Sequence, residues 1–249
     1  MMEDFSIKQV QSPWVGLCYY MRGNFHKQSR ETIRPKFRLP PEGVLTETGK
    51  TDPLRYYYKP LIGRLYIKRI EILLALLPKK KFCSALEIGY GSGILIPTIQ
   101  QYVTAYYGID LDANPDQVYE NIRKSGIEMP IHLVQGDIFE LECKSFDLII
   151  AISVFEHIKE IEKLIRKIRT LLSNDGYLLI GVPRTDRWMS MLFSLIGFNQ
   201  IDDYHVTDYR AIINQANACF DLIAEVSMPQ ILPRPCALYH GALLRPRFD

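Results

Sequence analysis

Apolar residues follow two alternating patterns along the chain, short continuous runs and longer stretches with a helical period. The continuous runs predict buried strands at residues 83–88, 103–109, 131–135, 146–152, 177–182, 220–226 and 237–244. The helical period predicts helices at residues 62–76, 94–102, 115–125, 158–172, 188–196 and 207–217. This alternation predicts an α/β fold with a mostly parallel sheet that is covered by helices on both faces.

Turn and capping residues refine two boundaries in this pattern. Asn174, Asp175 and Gly176 give a turn signal directly before the fifth strand. Thr207 is placed to cap the last helix, with Asp208 in the first turn. We therefore expect a turn at 174–176 and a helix start at 207.

The beginning of the chain differs from the rest because it has no clear period and is rich in arginine, lysine, proline and aromatic residues. We predict an irregular basic arm at residues 1–60 and one domain at residues 61–249. Residues 1–81 hold 16 basic and 7 acidic residues, a net of +9, whereas the remainder holds 14 basic and 21 acidic residues, a net of −7. The basic segment either docks on its own acidic domain or meets an anionic lipid, nucleic acid or acidic substrate, with nucleic acid the least favoured.

The predicted helix at 62–76 leaves a similar choice open. Its apolar face is flanked by Arg64 and Lys68, and three lysines follow at 79–81. This face either packs on the sheet as an extra helix or, through residues 62–81, makes a peripheral contact with an anionic membrane.

The strongest chemical signal is a strand that runs into three glycines and then a helix. It reads Leu86-Glu87-Ile88-Gly89-Tyr90-Gly91-Ser92-Gly93. Glycines at such a turn let the backbone bend tightly and approach a ligand closely. The spacing is GxGxG, because Ile94 stands where a dinucleotide fingerprint has its third glycine. Glu87 would repel a pyrophosphate and attract a sulfonium or ammonium, so the loop favours a positively charged nucleoside.

Acidic residues follow the next two strands. Asp110 lies 19 residues after Gly91, where an acid can accept hydrogen bonds from ribose hydroxyls. Asp137 follows the third strand and can accept from an exocyclic amine while Ile138 packs on a purine. The segments at 146–157 and 171–180 complete a series of five motifs.

These five segments, in this order and spacing, resemble the class I, seven-stranded S-adenosylmethionine-dependent methyltransferases, most closely their small-molecule branch. The resemblance covers residues 83–226. It implies a doubly wound sheet of order 3-2-1-4-5-7-6 with an antiparallel last strand, S-adenosylmethionine as cofactor, and methyl transfer to a small-molecule acceptor. The alternative is a catalytically silent domain of the same fold that binds a partner through its basic arm. An NAD-dependent oxidoreductase is disfavoured by the GxGxG spacing.

The resemblance also implies cofactor contacts for ten residues. By this likeness the methionine part is lined by Glu87, Gly89, Tyr90, Gly91 and Gly93, the ribose is held by Asp110, the adenine lies against Leu111, Asp137 and Ile138, and Ile152 lies near the cofactor. Tyr90 departs from the family, which often has a small residue there. Ser153 stands where some quinone-biosynthesis methyltransferases carry a glutamate that holds a metal, so no metal is predicted.

Two histidines are candidates for the general base that a hydroxyl acceptor requires. His157 and His205 fall on loops beyond the carboxyl ends of strands, where ligands of open α/β sheets bind. The alternative for each is an ordinary capping or solvent-facing histidine. The remaining histidines lie in the arm or inside predicted strands.

Cysteine usage and hydropathy add expectations about location. The chain has five cysteines and none at CxxC spacing, so neither a zinc site nor a redox motif is predicted, and a reducing cytoplasm fits. The first residues lack the basic-then-apolar order of a signal peptide. The longest apolar stretch, 70–77, is too short to span a bilayer.

Overall fold

The computed structural model describes residues 36–49, 52–142, 145–184, 208–230 and 237–247. The strands in these ranges are β1 Phe82–Ile88, β2 Val103–Asp110, β3 Ile131–Gln135, β4 Phe146–Ile152, β5 Leu172–Pro183, β6 Phe220–Met228 and β7 Tyr239–Pro246. The helices in these ranges are α1 Leu54–Tyr57, α2 Ile62–Leu74, α3 Ile96–Ile99, α4 Pro115–Arg123, α5 Ile161–Leu171 and α6 Tyr209–Ala216. Short 3₁₀ turns cover Ile138–Glu140 and Phe155–His157.

The described strands form one sheet in the order β3-β2-β1-β4-β5-β7-β6. Strands β1 to β5 run parallel, and β7 runs antiparallel to both β5 and β6. This doubly wound, mostly parallel seven-stranded sheet confirms the predicted fold class and strand order. The order reverses between β1 and β4, and ligands of such sheets bind at the carboxyl ends of the strands on either side of that reversal.

An apolar layer covers each face of the sheet. Ile70 and Leu73 of α2 and Ile122 of α4 belong to one layer, whereas Ile165 of α5 and Ile212 of α6 belong to the other. Neighbouring residues of a strand point to opposite faces, so every central strand contributes to both layers. The sheet is therefore buried on both sides, as the apolar runs predict.

A pair of glycines on neighbouring strands receives one side chain of α2. Gly181 of β5 pairs with Gly241 of β7. A Cβ atom at Gly181 would lie 2.6 Å from Cδ1 of Leu73, and one at Gly241 would overlap with Cδ2 of the same leucine. The two glycines thus form a socket for Leu73, which fixes where α2 lies across the sheet. The apolar face of α2 therefore packs on the sheet along its carboxyl half, while Leu61 and Leu65 near its start are exposed.

Two predicted boundaries near strands are wrong. The fifth strand begins at Leu172, which pairs with Phe146, and the predicted turn at 174–176 lies within the bounds of β5. A shift in register between β4 and β5 accommodates these extra residues. The helix predicted at 94–102 is reduced to α3, because Gln101 and Tyr102 form tighter bonds to Thr98 and Ile99, three residues back.

The last helix begins at Tyr209 rather than at 207. Asp208 is its N-cap, and Oδ1 of Asp208 accepts a hydrogen bond from the N–H of Ala211 at 2.7 Å. Thr207 and the helix predicted at 188–196 lie outside the described residues.

The described part of the arm packs against the domain. The Phe37 and Tyr57 rings stack with their centroids 5.7 Å apart, and Leu45 is buried. The N–H of Arg38 donates to Oγ1 of Thr98 at 2.9 Å. Among the residues that the structure describes, no helix is long and apolar enough to cross a membrane.

Candidate active site

The three glycines after β1 form a loop with an unusual backbone. Gly89, Gly91 and Gly93 all have left-handed conformation, with φ of 74°, 50° and 76°. A Cβ at Gly89 would lie 2.7 Å from Cγ2 of Val154, and one at Gly93 would lie 2.9 Å from Cγ1 of Val118. The backbone conformation therefore favours glycine at all three positions, and space also favours it at Gly89 and Gly93. At Gly89 the loop lies directly against the segment that follows β4.

Asp110, at the end of β2, fixes this loop from the side. Its Oδ2 accepts the N–H of Gly91 at 2.9 Å, and its Oδ1 accepts the N–H groups of Asp112 and Ala113 at 2.9 and 3.0 Å. A carboxylate oxygen can accept two hydrogen bonds, so Oδ2 keeps one lone pair for a ligand hydroxyl. Asp110 thus combines the predicted ribose contact with a second role, holding the loop in place.

Glu87, near the end of β1, is a buried acid. Its side chain accepts a hydrogen bond from the hydroxyl of Tyr106. Burial raises the pKa of the Glu87 carboxyl to about 8; the Tyr106 hydrogen bond lowers it, and the nearby Asp110 raises it. A cation bound beside Glu87 would favour the ionised form, so the site is matched to a positively charged ligand.

Tyr90, the second residue of the glycine loop, packs against β2. Its side chain is buried, and its hydroxyl donates to the carbonyl of Ala113 at 3.4 Å. A Cβ at Gly108 of β2 would lie 2.7 Å from Cδ1 of Tyr90, so glycine at 108 makes room for the ring. The large side chain of Tyr90, at a position where the resembled family often has a small residue, is therefore accommodated by the glycine at position 108.

The predicted adenine-side residues lie along the same edge of the sheet. Leu111 follows β2 and is 64% exposed, whereas Ile138 is buried. Asp137 caps the first 3₁₀ turn, with Oδ1 accepting from the N–H of Phe139 at 3.0 Å, and its Oδ2 can still accept from a ligand. Ile152 ends β4. The ten predicted cofactor residues thus occupy the carboxyl edge formed by β1, β2, β3 and β4.

A segment before α1 contacts the glycine loop, and no pattern in the sequence predicts this contact. The hydroxyl of Ser92 donates to Oδ1 of Asp52 at 3.4 Å. Oδ2 of Asp52 accepts from the N–H and the hydroxyl of Thr48, at 3.1 Å each. No local motif indicates a contact between residues 40 positions apart, so only the fold reveals that the arm borders the site.

A second group of side chains, here called the Arg69 cluster, comprises Arg69, Tyr57, Tyr66, Ser153 and Tyr239. Nη2 of Arg69 donates to the hydroxyl of Tyr57 at 3.2 Å, and Nη1 donates to Oγ of Ser153 at 3.5 Å. The guanidinium carbon lies 4.1 Å from the ring centroid of Tyr66 and 5.5 Å from that of Tyr239. Three tyrosines therefore surround a cation at the end of β4.

Ser153 joins the Arg69 cluster to the sheet. It follows β4 with a φ of 57°, which is rare for a residue other than glycine. Its N–H donates to the carbonyl of Gly181 at 2.7 Å, and its hydroxyl shares a hydrogen bond with the Tyr239 hydroxyl at 3.2 Å. Backbone strain of this kind concentrates at functional sites, which marks Ser153 as a candidate.

Two adjacent residues after Ser153 differ sharply in exposure. Glu156 is 1% exposed, whereas His157 is exposed on the same 3₁₀ turn. Burial raises the pKa of Glu156 to about 8; a hydrogen bond from its own backbone N–H lowers it, as does Arg69. His157 stays a predicted base on the expected loop, and His205 lies outside the described residues.

Metal ligation is a separate question for the same edge of the sheet. Within the described ranges, no group of three or more His, Cys, Asp and Glu side chains is placed to hold a metal ion. The polar side chains described above at this edge include the Asp110 carboxylate, the Ser153 and Tyr57 hydroxyls and the Arg69 guanidinium. The described residues therefore offer hydrogen bonds and charge to a ligand.

Sequence comparison identifies one domain family. The profile described as a methyltransferase domain matches residues 58–217, well over half of the chain. That span includes the glycine loop, Asp110 and the whole of β1 to β5. Comparison with curated proteins finds no match.

Solved structures with the same architecture include enzymes that act on S-adenosylmethionine. The N-methyltransferase NodS from Bradyrhizobium japonicum, in complex with S-adenosyl-L-homocysteine, is 17% identical, with a TM-score of 0.59 over 81% of this chain and 95% of that one. The PH0226 protein from Pyrococcus horikoshii is 18% identical, with a TM-score of 0.59 over 80% and 97%. An S-adenosylmethionine-dependent methyltransferase from Mesorhizobium loti is 16% identical, with a TM-score of 0.53 over 70% and 95%. At these identities the likeness shows a shared fold.

Proposed function

The chain belongs to the family of methyltransferase domains, and on that premise we propose that it moves a methyl group from S-adenosylmethionine to a small-molecule acceptor. One observation carries the proposal. The left-handed glycine loop is held by Asp110 through the N–H of Gly91 and lies beside the buried acid Glu87. Such a loop admits a ligand close to the backbone, and the acid selects a cationic one.

The residues present fit this cofactor. Bound S-adenosylmethionine supplies an electrophilic methyl group on a cationic sulfur that leaves as a neutral thioether. The cationic methionine part would favour the ionised form of Glu87, whose pKa is about 8 in the free protein, and the resulting negative charge suits that cation. Asp110 would hold the ribose through the free lone pair of Oδ2, and Asp137 and Ile138 would hold the adenine.

The chain contributes to transfer chiefly by positioning and by excluding water. Val154 and Asp52 lie against the glycine loop, so they border a group held there. Positioning and partial desolvation supply most of the rate enhancement for a good leaving group. For a hydroxyl acceptor, His157 or His205 takes the proton, with His157 favoured because it follows β4.

Calorimetric titration with S-adenosylmethionine tests the proposal. Wild type should bind, and Asp110→Ala should bind about ten- to a hundredfold more weakly, because charge-assisted hydrogen bonds are worth about 1.5–3 kcal/mol. Asp112→Ala is the matched control. Asp112 is exposed in the same segment and contributes its backbone N–H alone to Asp110, so its variant should bind as wild type does.

Two outcomes would contradict this assignment. Absence of binding by the wild-type protein would favour a catalytically silent domain that uses its basic arm to hold a partner. Equal affinity of the Asp110→Ala variant and the wild type would show that the end of β2 does not hold the ribose.

A further inference from the structure

Arg69 carries a charge that the described residues leave without a counter-ion. An arginine guanidinium stays protonated in proteins. Arg69 is half-buried as a residue, and the part of its charge that is removed from water is costly unless it is paired. Nε of Arg69 is buried and has no hydrogen-bond partner among the described residues, and the bond from Nη1 to Ser153 is long at 3.5 Å. The tyrosine rings stabilise the cation by contact with their faces but supply no anion.

Glu156 is near enough to Arg69 for its pKa to be affected, yet the two do not pair. Both residues lie in the described part of the chain, and no ion pair or hydrogen bond joins them there. Oε2 of Glu156 is buried and also lacks a partner among the described residues. Burial keeps Glu156 largely protonated near pH 7, so it stands beside the cation as a neutral acid.

Buried polar atoms in native proteins almost always have partners, which are protein groups, ordered water or a bound ligand. Nε of Arg69 and Oε2 of Glu156 have none among the described residues, so both are available to a ligand group. That group must accept hydrogen bonds from a guanidinium and from a protonated carboxyl. An oxyanion does both, and guanidinium–oxyanion pairs are among the strongest hydrogen bonds in proteins.

The position of these atoms indicates which ligand brings the oxyanion. Ser153 of the Arg69 cluster and Glu156 flank Val154, the residue whose side chain contacts the glycine loop at Gly89. The Arg69 cluster therefore borders the proposed cofactor site from the side of β4. A ligand bound by the Arg69 cluster would lie on the β4 side of the proposed cofactor site, which is where we place the acceptor.

We propose that the acceptor is an anionic small molecule whose oxyanion, a carboxylate or a phosphate, is bound by Arg69 and Glu156. This inference rests on the proposed methyl transfer, because it places the acceptor relative to the cofactor. Arg69 compensates the charge of the oxyanion, Glu156 donates a hydrogen bond to it, and Ser153 and Tyr239 orient Arg69 through their linked hydroxyls. The cationic centre beside the sulfonium thereby selects against amines.

A matched series of aromatic probes tests the charge preference. Protein saturated with S-adenosyl-L-homocysteine is titrated at pH 7 with benzoate, phenyl phosphate, benzyl alcohol and benzylamine, and affinity is read by ligand-observed NMR. At least one of the two anions should bind ten times more tightly than benzyl alcohol, and benzylamine should bind least. Benzoate and phenyl phosphate distinguish a carboxylate acceptor from a phosphate one. Equal affinities across the series would overturn the proposal without any variant being made.

Arg69→Met should abolish the preference for anions, and Arg69→Lys should restore part of it. Arg64→Met is the matched control, since Arg64 is exposed on the same helix and its loss should leave the series unchanged. Equal affinity for S-adenosyl-L-homocysteine in each variant shows that the fold is intact. A preference for anions that survives in Arg69→Met would refute the assignment. Failure of the wild type to bind S-adenosyl-L-homocysteine would instead reject the proposed function itself.

Discussion

The glycine loop and the Arg69 cluster meet at Val154, yet they are incomplete in opposite electrical senses. On the side of the glycine loop, the buried acid Glu87 has a hydroxyl partner but no cationic partner among the described residues. On the side of the Arg69 cluster, the described residues give the guanidinium aromatic and hydroxyl partners but no anion. Each half thus lacks the charge that its proposed ligand brings. Binding of a cationic donor beside Glu87 and of an anionic acceptor beside Arg69 would supply both missing charges. The charges of the site would thereby determine on which side of Val154 each substrate binds.

Loss of the proposed base should have the largest effect of the changes considered. It should lower turnover without changing the affinity for the cofactor. His157→Ala and His205→Ala should lower turnover of a hydroxyl acceptor by about 10²–10⁴-fold, the usual contribution of a positioned base. Affinity for S-adenosylmethionine should not change, because the proposed role of both histidines is to take a proton from the acceptor. Initial rates with labelled cofactor, measured alongside calorimetry, check this. Normal turnover by both variants and by the double variant would indicate an acceptor that needs no protein base.

Gly181→Ala should disturb the Arg69 cluster and spare the glycine loop. The added Cβ would lie 2.5 Å from the Tyr239 hydroxyl and 2.6 Å from Cδ1 of Leu73, so one of them must move. Overpacking of this kind costs about 1–3 kcal/mol of unfolding free energy. Urea unfolding measures the loss, and calorimetry should show unchanged cofactor affinity. Gly136→Ala is the control, since its nearest neighbour would be 3.8 Å away. Equal stability of the two variants would mean that the packing at β5 is looser than described.

Glu87→Gln should weaken cofactor binding while stabilising the free protein at neutral and higher pH. The pKa of Glu87 is raised to about 8 in the fold, against about 4.5 when unfolded. Below pH 4.5 both states are protonated and the raised pKa has no effect. Between pH 4.5 and 8 only the unfolded state ionises, so wild-type stability falls as the pH rises and the loss is complete above pH 8.

The measurement is the unfolding free energy of the variant minus that of wild type, at pH 5 and at pH 8. We expect the difference to grow by about 1 kcal/mol or more over this interval. Glu120→Gln, at an exposed position on α4, is the matched control. A difference that stays constant with pH would show that Glu87 is not protonated in the free protein.

The smallest effect concerns the start of α2, where peripheral membrane contact stays a proposal. Leu61 and Leu65 are exposed there, next to exposed Arg64 and Lys68. Each basic residue near an anionic surface contributes about 1 kcal/mol, so weak co-sedimentation with anionic vesicles is expected at low salt and none at high salt. Charge reversal by Arg64→Glu with Lys68→Glu should abolish it. Absence of pelleting by the wild type at low salt would eliminate this contact.

The sequence predicts the sheet well, and it places the predicted cofactor residues at one edge of that sheet, because those signals are local. Apolar runs indicate the strands, and the spacing of the three glycines and Asp110 indicates where their ends meet. The start of β5 could not be predicted in this way. The turn signal at 174–176 is overridden by pairing of Leu172 with Phe146, a contact that depends on the neighbouring strand.

The Arg69 cluster illustrates why the acceptor side could not be predicted. Its members come from two helices, the end of β4 and the last strand, so no sequence window contains them. Glu156 and His157 are adjacent polar residues in the sequence, and only the fold shows that the first is buried and the second exposed. Residues of this kind acquire their chemistry from burial, which is a property of the whole structure.

The socket that Gly181 and Gly241 form for Leu73 has a consequence for evolution. Arg69 precedes Leu73 by four residues, about one helical turn, so both lie on the same side of α2. A mutation that enlarges or shrinks residue 73 would shift α2, and Arg69 with it, without changing any side chain of the site. Acceptor preference in this lineage can therefore drift through compensated changes at positions 73, 181 and 241. Selection experiments for new acceptors have reason to randomise these three positions together.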